Sequence, residues 1–118
     1  MKPERMQGLL AALPDPVAFE PFRPGVEIHH IARSVDGGPG VALLRYAAGA
    51  CVPRHRHAGL ETILVLEGAQ SDDAGRYAAG DFVVNRPGSV HRVWSDEGCL
   101  VLIHWAAPVE ILDEAEQA

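Results

Sequence analysis

Residues 49–68 read Gly-Ala-Cys-Val-Pro-Arg-His-Arg-His-Ala-Gly-Leu-Glu-Thr-Ile-Leu-Val-Leu-Glu-Gly, and the reading of this stretch decides the fold. His55 and His57 stand two residues apart. Side chains at i and i+2 share a face on a strand but diverge on a helix. An extended backbone therefore brings both imidazoles to one side. Ala58-Gly59 offers a bend, and Glu61 then opens the apolar run Thr-Ile-Leu-Val-Leu. A carboxylate there can close on the same point, although spacing alone does not fix parity across a bend. The alternating Arg54 and Arg56 are expected on the opposite, outer face.

Working outward, residues 80–91 read Gly-Asp-Phe-Val-Val-Asn-Arg-Pro-Gly-Ser-Val-His. His91 follows a Pro-Gly turn and opens another apolar run. Three neutral imidazoles and one carboxylate suit one divalent transition metal such as Zn, Fe, Mn, Ni or Co, with Cu also within range. His55, His57, Glu61 and His91 are the expected metal ligands. Four protein ligands leave room on an octahedral ion for water, dioxygen or a substrate oxygen. The competing reading is a hydrogen-bonded polar cluster without metal. Converging so many polar groups in an apolar interior is costly unless they are paired or ligated, which favours the metal.

Around these two stretches the punctuation is regular. Short apolar runs at 26–31, 41–46, 62–66, 82–84, 90–94 and 100–105 alternate with Gly-rich or acidic turns, among them Glu67-Gly68, Asp72 to Gly75 and Asp96-Glu97-Gly98. Many short strands at this spacing indicate an all-β sandwich or barrel. A short helix is expected over residues 4–12, stopped by Pro14 and Pro16. Four prolines between residues 14 and 25 predict an extended segment, with Phe19 and Phe22 covering an apolar face. The tail after Pro108 is acidic and Ala-rich, either a short helix or frayed. The expected organisation is an N-terminal extension packing on the barrel (1–25), the barrel itself (26–108) and an acidic C-terminal tail (109–118).

The two motif stretches resemble the cupin superfamily. Gly49, His55, His57, Glu61 and Gly68 match the first cupin motif, G-x5-H-x-H-x3/4-E-x6-G. Gly80, Gly88 and His91 match the second, G-x5-P-x-G-x2-H-x3-N, with Arg86 at its proline position, Pro87 beside it and Ser95 at its final asparagine. Both departures lie outside the ligand positions. The resemblance implies a single-domain double-stranded β-helix, a jelly-roll barrel. L-L-R-Y-A-A-G-A, P-R-H-R-H-A-G-L-E, S-D-D-A-G-R-Y-A-A-G-D and R-P-G-S-V-H further resemble ChrR-like cupins. In ChrR-type anti-sigma factors such a domain follows a zinc-binding helical domain. Residues 1–25 contain no His and no Cys, so that domain and its anti-sigma activity are not expected here.

The composition narrows the partners. The chain has 118 residues, is 47% hydrophobic and carries a net charge of −6. Lys2 is the sole lysine. Phosphate binding needs clustered positive charge, so nucleic acid is not an expected partner. No apolar run approaches the roughly 20 residues that span a bilayer, and no signal peptide is evident, which points to the cytoplasm and away from membranes. Cys51 and Cys99 are too few for a disulfide scaffold, and each is expected as a small buried hydrophobe. His29 and His30 should face opposite ways, at the surface or hydrogen-bonded. His104 is either structural or at the barrel mouth. Arg45, Tyr46, Asn85, Trp94 and Trp105 are expected cavity lining, with core or dimer packing the default for both Trp. Asp72, Asp73, Asp96 and Glu97 read as solvated turns. The runs at 62–66 and 100–105 are apolar on both faces, which predicts an outer cover and suggests a homodimer. The expected function is a metal-binding module that binds a small molecule or responds to stress. The alternative is an Fe(II)-dependent dioxygenase acting on a small phenolic or thiol substrate.

Overall fold

In the computed structural model, residues 1–13 and 18–117 are described. The expected helix stop at Pro14 and Pro16 lies outside them. Helix α1 is a single turn, Leu9–Ala12, rather than the expected span from residue 4. Gly8 precedes it at φ 70, a left-handed conformation through which a right-handed helix cannot extend. No side chain caps its first turn.

Ten antiparallel strands follow: β1 (Glu20–Arg23), β2 (Val26–Ala32), β3 (Gly40–Tyr46), β4 (Cys51–Arg56), β5 (Glu61–Asp72), β6 (Gly75–Ala78), β7 (Phe82–Asn85), β8 (Val90–Trp94), β9 (Cys99–Trp105) and β10 (Glu110–Ile111). A short helix α2 (Glu114–Gln117) closes the chain. The order β1-β2-β3-β9-β5-β8-β4-β10 curls into a half-barrel, with β6 and β7 also on β5. Alternation builds the interior. Val26 and Ile28, Ala42, Leu44 and Tyr46, Ile63 and Val65, and Val101 and Ile103 face inward and meet Val52 and Val93 from the other side. Each such aliphatic side chain contributes about 2 kcal/mol on full burial.

Strand β5 is the structural hinge between the two sides. Its first half pairs with β7 and β9, and its last residues pair with β6 and β8. The expected turn at Glu67-Gly68 is instead a bulge inside this strand, where the β9 register shifts. Gly68 sits at φ 69, and a Cβ there would collide with the Gly98 carbonyl, so only glycine lets the strand bend at this point. Ser95, at the final motif position, is fully buried. Its hydroxyl donates to the Ala69 carbonyl (2.6 Å), tying β5 to the end of β8.

Both ends of the chain add to the sheet. β1 pairs with β2, and β10 pairs with β4 through Glu110↔Arg56 and Ile111↔His55. Gln117 accepts from the Arg54 amide (2.7 Å) and donates to the Arg54 carbonyl (2.8 Å). The outer face carries Arg54 and Arg56 as expected, paired with Asp73 and Glu110 respectively. Arg45 corrects the cavity expectation. It alternates with inward Leu44 and Tyr46, so it points outward, bonds Glu27 and stacks 4.1 Å above the Phe19 ring. Cys51 is also a correction: it is exposed, while Cys99 is buried. No helix among the described residues is long and apolar enough to cross a membrane.

Candidate metal centre

His55 lies near the end of β4, directly across the ladder from His91 on β8. His57 follows immediately after β4. Its amide donates to the Ser89 carbonyl (2.9 Å), and its own carbonyl accepts from the Gly88 amide (2.8 Å). The Pro87-Gly88 turn thereby clamps the end of β4, even with Arg86 in the motif's proline position. The three imidazoles are buried, and their ligand atoms lie within 4.8 Å of one another. The rings meet edge to face, with centroids 4.7 to 5.1 Å apart. Glu61, the first residue of β5, is 5% exposed. Its Oε1 comes within 3.2 Å of His57 Nε2 and accepts from Asn85 Nδ2 (3.1 Å). The mutual cluster thus comprises the three imidazoles, with Glu61 on the His57 side.

The opposite ring nitrogens define the chemistry. His55 Nδ1 bonds the Pro53 carbonyl (2.8 Å) and His57 Nδ1 the Ser89 carbonyl (3.0 Å). A carbonyl can only accept, so both rings carry their proton on Nδ1. His91 Nδ1 lies 2.9 Å from Asp72 Oδ2, which likewise accepts. In its neutral form each ring therefore turns an Nε2 lone pair toward the cluster. The Nε2 atoms of His57 and His91 are buried with no hydrogen-bond partner. Buried orphan lone pairs facing one another are unfavourable unless a cation sits between them. The donor set therefore fits a divalent transition metal. Burial, with neighbouring His91 and His57 adding, pulls the His55 pKa down to about 4, against the Pro53 hydrogen bond and Glu61. His55 is thus neutral, as ligation requires.

A family model described as "ChrR Cupin-like domain" matches residues 8–108. The chain belongs to the ChrR cupin-like family. It is 38% identical over 76 residues to the anti-sigma-E factor ChrR of Cereibacter sphaeroides, a match covering 62% of this chain and 36% of that protein. The chain thus aligns with about a third of the curated relative's length. The Rhodobacter sphaeroides anti-sigma ChrR, solved in complex with SigE, superposes with a TM-score of 0.70 at 26% identity, over 83% of this chain and 55% of that one. An acetylacetone dioxygenase from Acinetobacter johnsonii superposes with a TM-score of 0.81 at 16% identity, over 98% of this chain and 81% of that one. The last likeness concerns the fold: this ChrR-like chain is an all-β cupin with short terminal helices.

Asp72 is the residue that the sequence reading missed. Expected as a solvated turn, it is 9% exposed and orients His91. Its Oδ1 accepts from the Ala74 and Gly75 amides and the Tyr77 hydroxyl. Burial raises its pKa, but the hydrogen bonds from His91, Ala74 and Tyr77 outweigh this and leave it lowered. Asp73, Asp96 and Glu97 are exposed, as expected of turns.

A cavity of about 290 Å³ opens beside the cluster, with His55 and Glu61 in its wall. The expected Tyr46 and Trp105 line it, while Asn85 reaches it only through its bond to Glu61. Trp94 instead stacks under Arg92 (4.9 Å), outside the cavity lining. His29 faces outward and bonds the Ala18 carbonyl (2.8 Å), whereas His30 lines the cavity, so the pair does diverge. His104 is exposed on the outer face. Phe19 packs against His29 and Arg45 outside, and Phe22 stands in the cavity wall.

Proposed function

We propose that this ChrR-like cupin holds one divalent transition metal through the Nε2 atoms of His55, His57 and His91, with Glu61 as fourth ligand, and presents it to a small molecule in the adjoining cavity. The observation that carries this reading is the set of three Nδ1 atoms engaged by Pro53, Ser89 and Asp72, with the buried Nε2 atoms of His57 and His91 left without partners. When bound, the metal supplies a Lewis-acidic position for an oxygen ligand. The protein's own residues hold the imidazoles in their Nδ1–H form and exclude bulk water. On this reading residues 26–108 are the barrel that houses the centre, with the flanking segments contributing β1 and β10 to its sheet. Relationship to ChrR supports a cytoplasmic sensing or stress-responsive module, with zinc the leading metal. Sigma-factor binding is left with ChrR, of which the aligned part is only 36%.

The cavity wall at His55 and Glu61 favours a second reading, an Fe(II)-dependent dioxygenase acting on a small phenolic or thiol substrate. Metal analysis of protein purified without added metal tests both. About one ion per chain is expected. Zinc, with no oxygen uptake after iron reconstitution, supports the module; iron with uptake on catechols or thiols supports the enzyme. A chain that takes up neither ion removes the metal reading. Homodimerisation, through the outer face that exposes Phe82 and Val84, is part of the same proposal and is checked by light scattering.

A further inference from the structure

Six buried side-chain nitrogens lack a hydrogen-bond partner among the described residues. Two belong to the histidine cluster, His57 Nε2 and His91 Nε2, and one is the outer Arg54 Nε. The other three, Arg23 Nε, His30 Nδ1 and Trp105 Nε1, all belong to residues lining the cavity. Arg and Trp nitrogens can only donate. An otherwise apolar chamber that leaves buried donors unanswered is arranged for a guest that brings acceptors.

The sign of the guest follows from the charges. Arg23 and Glu61 are the residues of full opposite charge in the wall. Glu61 already accepts from Asn85 and stands beside His57 on the side of the histidine cluster. Among the described residues, no carboxylate comes within ion-pair distance of Arg23. Its guanidinium carbon sits 4.9 Å above the Phe22 ring, which orients the group and leaves its donors free. A guanidinium recognises a carboxylate with two parallel hydrogen bonds.

We propose that the cavity binds a small organic acid, its carboxylate paired with Arg23 and its apolar body packed against Ile28, Leu44 and Ile103. Trp105 Nε1, directly across the ladder from Glu61, donates to a further acceptor on the guest. This inference names the ligand class for the site proposed above and rests on that reading for its metal.

The test is calorimetric titration with benzoate and with benzyl alcohol, its neutral counterpart, on protein as purified and after chelation. Benzoate should bind at least about tenfold tighter, and R23M should abolish that preference while keeping benzyl alcohol binding. Should R23M fail to fold, R23K keeps the charge without the planar fork and should cost about threefold in benzoate affinity. Equal binding of the two probes, no binding of either, or an undiminished preference in the Arg23 variant overturns the proposal. Protein that takes up no metal yet prefers benzoate through Arg23 would sink the metal reading alone. Tightly held metal without any benzoate preference would sink this one alone.

Discussion

His55 and His57 on one side of the cluster and His91 on the other are held by different means. The first two give their Nδ1 protons to main-chain carbonyls of Pro53 and Ser89. The third gives its proton to a side chain, Asp72, at the far end of β5. A carbonyl orients a ring and cannot be lost by substitution. A carboxylate also adds charge, which makes the imidazole a stronger donor to a metal, but it can be lost in a single change. The β8 side is therefore the sensitive half of the centre.

Removing His91 itself should do most damage. In H91A, bound metal falls below about a tenth of the wild-type content at equal metal supply, since a ligand is lost and Asp72 is left with no ring to orient. Metal analysis after dialysis reads this, and full retention would remove His91 from the ligand set. D72A comes next, with metal affinity expected to drop by about 10- to 100-fold, whereas D72N keeps an acceptor and falls between D72A and wild type. Competition with a chromophoric chelator measures both, and equal affinity in all three proteins would dissolve the contrast between the two sides. S89A removes the Oγ contact (2.9 Å) to His57 and the hydroxyl's bond to the Arg86 carbonyl (2.6 Å), while the Ser89 carbonyl remains. It should cost no more than about threefold in the same assay.

The smallest effect is one of pH on metal-free protein. His55 titrates at an ordinary 6.5 when unfolded and at about 4 in the fold, chiefly through burial. Between those values the unfolded chain binds the extra proton, so folding stability rises with pH across that window. The stability present above pH 6.5 is lost as pH falls toward 4. Urea midpoints should therefore be lower at pH 5 than at pH 7. Identical midpoints would mean that His55 is not held neutral by its surroundings.

The contrast also marks how far the sequence can be read. The His-x-His spacing places two rings on one strand face because alternation along a strand is local. Glu61 and His91 follow from the motif match, and the inward positions of β2, β3 and β9 follow from the apolar runs. Asp72 was hidden because its local role is complete by itself: Oδ1 caps the hairpin turn through Ala74 and Gly75, which explains an Asp there without any metal. Only the pairing of Asp72 with Val93, two residues beyond His91, reveals the second use of the same carboxylate. Arg23 and Arg45 were equally illegible, since a bulge in β1 and the parity of β3 decide which of them enters the cavity.

Strand β5 begins at Glu61 and ends at Asp72, so a single stretch of backbone carries both a carboxylate beside the histidines and the one that steers His91. Bent at Gly68, it works as a tie-rod whose two ends meet at one joint. A side chain at position 68 would collide with the Gly98 carbonyl, so one change far from the histidines would disturb both carboxylates at once.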